Sequence, residues 1–246
     1  MCLSTKMLAK SLLPIKKGLN SNLIKILALL FMTIDHVGVV IFPHLEILRI
    51  IGRLSFPLFA FTVAEGCYYT RNKLLRFLMI FLLGAGCQLV FYLYSGELLQ
   101  NILLTFSLSM AMIYAYQYFI NKKNVFSILL FLASIVFVYF MTNILPDFIP
   151  RRGFRFDYGF SGAVLPLLIY LFRDARLKFI ATAVGVLLLA LALGGTQWYG
   201  LLALIILAFY DGTKGKLKIK YLFYVYYPLH LLVIYGISML MGLKFF

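Results

Sequence analysis

The chain has 246 residues, of which 63% are hydrophobic, 17% aromatic and only 13% charged, and its mean hydropathy is +0.98. Soluble domains are roughly half apolar and about a quarter charged, so this composition excludes a soluble globular protein and identifies an integral membrane protein. At about 20 apolar residues per span, the length admits at most about eleven spans and no soluble domain of ordinary size.

The expectation is a single membrane domain, residues 1–246, with residues 1–20 as a cytoplasmic N-terminal segment. The net charge of +15 would suggest nucleic acid in a soluble protein, but the positive-inside bias accounts for it first, so no nucleic acid is expected. Cys2, Cys67 and Cys87 form no C-x-x-C pair, which argues against a disulfide framework or a zinc site.

Apolar runs fall at 22–43, 46–68, 74–94, 100–120, 124–145, 159–173, 177–193, 197–210 and 221–242. They predict an all-α fold, a polytopic transmembrane helical bundle of about nine helices, with eight to ten admitted because the sixth and eighth runs are short. Lys6, Lys10, Lys16 and Lys17 precede the first run, and no small-residue cleavage site follows a short apolar core, so the first run reads as an uncleaved span. Seventeen of the 23 Lys and Arg residues fall in alternate segments beginning with the N-terminal one. That bias places the N-terminus in the cytoplasm and the C-terminus outside, in the plasma or inner membrane.

Charged side chains inside a bilayer are costly and mark reaction sites or pathways. The first span carries Asp35-His36, roughly 20 Å along its axis. Lys25 lies eleven residues earlier, and eleven steps of about 100° bring it back to within about 20° of His36. A cation at the cytoplasmic mouth and an imidazole deep on the same face suit the two ends of a long thioester with an anionic head. Snorkelling is the plainer reading of Lys25.

In the second span Arg49 and Arg53 sit one turn apart, ahead of Pro57, which can bend the helix, and Glu65 follows near the inner end. Asp35 lies at a similar depth and is the natural partner for Arg53, either as a structural pair or as part of a site. Arg151, Arg152 and Arg155 lie in an outer loop where the charge rule disfavours them. They suit either an anionic group or lipid phosphates, or pairing with Asp147 and Asp157. His230 lies near the middle of the last span, two residues after Pro228. No Ser-His-Asp order, P-loop, G-x-G-x-x-G or H-E-x-x-H occurs, and no metal is expected. With only three histidines, His36 is the leading general base.

The segments LIKILALLFMTIDHVG (23–38), RIIGRLSFPLFAFTVAEG (49–66), TRN (70–72), QWYGLLAL (197–204) and YLFYVYYPLHLL (221–232) together resemble the TraX family. That family is named for a membrane acetylase of F-type conjugative pilin. It is similar in turn to integral-membrane acyltransferases, in which a first-helix histidine preceded at x10 spacing by a basic residue acts on an acyl-coenzyme A. Lys25-x10-His36 matches that pattern, and Lys73-Leu74-Leu75-Arg76 is similar to the basic pair at the start of a later helix.

The resemblance implies acetyl transfer from cytoplasmic acetyl-CoA to an amine or hydroxyl of a membrane-associated or exported acceptor, whether a protein N-terminus, a glycan or a lipid. In that reading Asp35 orients His36, and Arg53 and Arg49 fix Asp35 or stabilise the oxyanion. Lys25, Arg71, Lys73 and Arg76 bind coenzyme A. His230, Tyr227, Glu65, Arg151, Arg152 and Arg155 lie on the acceptor side. The alternative is a small proton-coupled transporter or flippase using Asp35, His36, Glu65 and His230 as a relay.

Overall fold

The computed structural model describes residues 18–150, 153–215 and 220–242. The protein is all-α and polytopic. Among the described residues seven helical stretches are long and apolar enough to cross a membrane, and two shorter apolar ones, Gly159–Leu171 and Gly195–Ala208, coincide with the sixth and eighth runs of the sequence.

Helix α1, Ser21–Val40, starts at Asn20, whose side chain accepts from the Asn22 and Leu23 amides and satisfies two of the orphan donors of the first turn. The second span, Glu46–Tyr69, is made of α2, Glu46–Gly52, and α3, Ser55–Tyr69. Pro57 was the expected bend point. The interruption instead falls ahead of it, at Arg53 and Leu54, because a proline has no N–H to donate to the carbonyl four residues back and is tolerated in a first helical turn. Helix α4, Lys73–Ser95, is capped by Asn72 and closed by Gly96 at φ 73°.

Helix α5 covers Ile102–Lys122, and α6 covers Val125–Tyr139 behind a reciprocal Asn124–Ser127 capping box. A π-helical turn, Phe140–Ile144, then leads into the four-residue α7, Leu145–Phe148, which contains Pro146. Together they complete one span, Val125–Phe148. Strand β1, Leu99–Gln100, pairs in parallel with β2, Arg155–Phe156, in the register Leu99 to Arg155. Helix α8, Gly159–Leu171, and α9, Ala175–Leu193, follow. A 3-10 segment, Gly195–Leu202, runs into α10, Ala203–Ala208, and α11, Lys220–Leu240, is the last helix.

The chain forms two compact units. The first contains the residues through Thr62, Leu171–Leu187 and those from Gly195 onward; the second contains Val63–Tyr170 and Leu188–Gly194. In the first unit α1 and α2 run antiparallel at close range. A Cβ on Gly38 would lie 2.7 Å from Leu48 Cβ, and one on Gly52 would lie 2.6 Å from Asp35 Cγ. Both glycines are therefore required by the approach of the two helices. Ser55 Oγ donates to the Ala28 carbonyl at 3.0 Å and ties the start of α3 to α1.

In the same unit α1 and α11 run parallel. Lys25 lies over Phe223, Thr33 meets Tyr226 and His36 meets His230, so contact positions rise together along both helices. Two parallel spans are separated by an even number of reversals. Among the described residues this parity fits nine crossings if both short helices cross and seven if neither does.

Candidate active site

The site grows from the Asp35-His36 pair on α1. Neighbouring helix positions point about 100° apart, and the two side chains accordingly go to different helices. Asp35 faces α2. Its Oδ2 accepts from Arg49 Nη1 at 2.8 Å and its Oδ1 from Arg53 Nη2 at 2.5 Å. The Arg53 side chain is 7% exposed, Asp35 15% and Arg49 33%, so the inner ion pair is the desolvated one. Arg53 Nε also donates to the Arg49 carbonyl at 3.3 Å. One carboxylate between two guanidinium groups leaves a formal charge of +1 beside the histidine.

His36 faces α11, where its Nδ1 lies 3.0 Å from Nε2 of His230. His230 Nδ1 lies 2.9 Å from the carbonyl of Tyr226. A carbonyl only accepts, so His230 Nδ1 carries hydrogen; in a neutral ring its Nε2 then accepts, and His36 Nδ1 must donate to it. This hydrogen-bond network assigns His36 the tautomer with hydrogen on Nδ1 and the lone pair on Nε2.

One sequence expectation changes here and one is extended. The hydrogen bonds of Asp35 go to Arg49 and Arg53 and not to His36, so Asp35 does not orient the ring by contact. His230, expected on the acceptor side, is also the direct partner of His36, a contact the sequence did not predict. The carbonyl it uses belongs to Tyr226, whereas the one deprived of its helical donor by Pro228 is Tyr224's.

Tyr227 is buried, with its ring edge-on to His230 at 5.6 Å. Lys25 Nζ stands 5.7 Å from the Phe223 ring centroid, so Lys25 and His36 share the side of α1 that faces α11. Thr33 and Tyr226, joined by a 2.6 Å hydrogen bond, were missed in the sequence. Their signal was spacing: Thr33 is three residues before His36 and Tyr226 four before His230, each one turn away on the same face.

The remaining candidates lie in the second unit or outside the described residues. Arg76 Nη1 donates to Thr70 Oγ1 at 2.8 Å, and its guanidinium lies where a Cβ on Gly66 would be, 2.6 Å from Nη1. Lys73 Nζ is 5.8 Å from the Tyr114 ring centroid. Arg71 and Arg155 are exposed and Glu65 is buried. Arg151 and Arg152 lie outside the described residues.

The fold and this centre define a polytopic membrane protein with an ionisable Asp-His-Arg-His core in the first unit. The chain belongs to the TraX family, whose model, described as TraX protein, matches residues 20–238. Among relatives, it is 36% identical over 106 residues to an uncharacterized protein of Rickettsia prowazekii (strain Madrid E), across 43% of this chain and 40% of that one. It is 24% identical over 244 residues to a probable fimbrial assembly protein FimC, serogroup H1, of Dichelobacter nodosus, across 88% of this chain and 94% of the relative. The match thus spans two-fifths of the Rickettsia protein and nearly all of the Dichelobacter one. No solved structure matches the chain.

Proposed function

We propose that the protein is an acetyltransferase that moves an acetyl group from acetyl-CoA to an amine or hydroxyl of a membrane-associated or exported acceptor, with His36 as general base. The observation that carries this reading is the His36–His230 hydrogen bond, which leaves the His36 Nε2 lone pair available for a proton. As the acceptor heteroatom attacks the thioester carbonyl carbon, Nε2 takes its proton. The imidazolium so formed is stabilised by its Nδ1–H donation to His230. When the tetrahedral intermediate collapses, the C–S bond breaks and the thiolate leaves, taking the proton from Nε2. The +1 cluster of Asp35, Arg49 and Arg53 favours the transient oxyanion, and this kind of fixed field is often the largest catalytic contribution.

Lys25, roughly 16 Å along the helix from His36, takes a phosphate of the coenzyme. The fimbrial assembly name of the Dichelobacter relative favours an exported protein subunit as acceptor, ahead of a glycan or lipid. The test is to supply purified protein in detergent with acetyl-CoA labelled in the acetyl group and to follow thiol release and label transfer. A proton-coupled transporter would release no thiol.

A further inference from the structure

The hydrogen bond that sets the His36 tautomer is the end of a longer, directed chain within the first unit. Thr33 Oγ1 lies 2.9 Å from the Leu29 carbonyl, which only accepts, so the threonine hydroxyl donates its single hydrogen there. Thr33 Oγ1 must then accept from the Tyr226 hydroxyl at 2.6 Å. Tyr226 is therefore held at three points. Its hydroxyl is tied to α1, its backbone carbonyl accepts from His230 Nδ1, and its ring stacks on the His230 ring at 5.3 Å and 9°.

A histidine side chain has two soft torsions, and rotating either in His230 would turn Nε2 away from His36. The stacked Tyr226 ring opposes that rotation only while the ring is itself fixed, and its fixed end is the bond to Thr33. Neither Thr33 nor Tyr226 is assigned a part in the transfer itself.

We propose that Thr33 and Tyr226 are positioning residues that hold His230 in the orientation which keeps His36 protonated on Nδ1 and basic on Nε2. Thr33→Val keeps the shape of the side chain and removes the acceptor, so the Tyr226 hydroxyl loses its partner and the stacked ring its anchor.

The test uses full-length protein labelled with 15N-histidine. Only three histidines contribute, and His44 lies in an exposed turn, so His36 and His230 are readily distinguished by single substitutions. The wild type is expected to show both intramembrane rings neutral and protonated on Nδ1. Thr33→Val is expected to bring in Nε2–H signals and to lower kcat roughly tenfold at unchanged KM for acetyl-CoA, the pattern of a misplaced base. Thr33→Ser, which restores the hydroxyl, should recover both.

A wild-type His36 protonated on Nε2, or a Thr33→Val protein with the wild-type spectrum, overturns the proposal. Tyr226→Phe makes the same test from the other partner and decides the matter if Thr33→Val does not fold. The kinetic arm rests on the acetyltransferase reading, whereas the spectra do not. A protein that fails to turn over acetyl-CoA yet shows the expected tautomers would contradict that reading and leave this one standing.

Discussion

Replacing Asp35 by asparagine preserves the size of the side chain and removes a carboxylate that both Arg49 and Arg53 contact. The two arginines are not equivalent. Arg53, 7% exposed, loses its counter-ion in a desolvated setting, where breaking a buried pair from one side typically costs about 3–5 kcal/mol. Arg49, 33% exposed, keeps partial access to screening and adds no more than about 1 kcal/mol.

The asparagine carbonyl still accepts one hydrogen bond, which places the expected loss near the low end, about 3 kcal/mol. For a chain of this size that corresponds to a fall in Tm of roughly 6–12 °C. The thiol of Cys67, 1% exposed, provides the assay: a thiol-reactive fluorophore in detergent reports unfolding as that cysteine becomes accessible. Arg53→Ala should be close to Asp35→Asn in severity, and Arg49→Ala should shift Tm by only a few degrees. An Asp35→Asn protein within 2 °C of wild type (on the order of 1 kcal/mol or less), or equal losses for the two arginines, would refute the view that Asp35–Arg53 is the desolvated pair.

Gly52→Ala should destabilise the protein by about 1–3 kcal/mol, because the added carbon meets Asp35 and α1 must move or Asp35 must leave the arginines; thermal unfolding by the same fluorophore checks this. Reporter fusions after residue 123 should read cytoplasm and those at residue 97 the outside, following the distribution of Lys and Arg; an inverted pattern would remove the basis for a cytoplasmic acetyl donor. Lys25→Ala should raise KM for acetyl-CoA with kcat nearly unchanged if Lys25 takes a coenzyme phosphate as proposed, since a boundary charge contributes to ground-state binding; steady-state kinetics at fixed acceptor reads both constants.

The helices are legible in the sequence because each span must present a long uninterrupted apolar run to lipid, and even the two short ones stand out by length. Proline positions are harder to translate. Pro57 and Pro146 mark spans that depart from regular α-helix, yet the form of each departure, a break at Arg53 and a π-helical turn from Phe140, depends on how the flanking carbonyls are satisfied.

The contact of Asp35 with Arg53 follows from depth alone, since two costly ions at one level have few other ways to be neutralised. The meeting of His36 and His230 does not. They stand at different distances from the starts of their helices, and the offset between α1 and α11 is set by side-chain packing along the whole interface, for which no local pattern codes. Residue identity marks the histidines as special, and only the parallel register of the two helices makes them a pair.

The most direct measurement is the rate of acetyl transfer by purified His36→Ala beside the wild type at equal folded concentration. The account predicts label transfer by the wild type and a loss of about 10²- to 10⁴-fold in the variant, the usual cost of removing a general base, with Tm little changed. Wild-type turnover in the His36→Ala protein, or a wild type that binds acetyl-CoA and never releases its thiol, would contradict it.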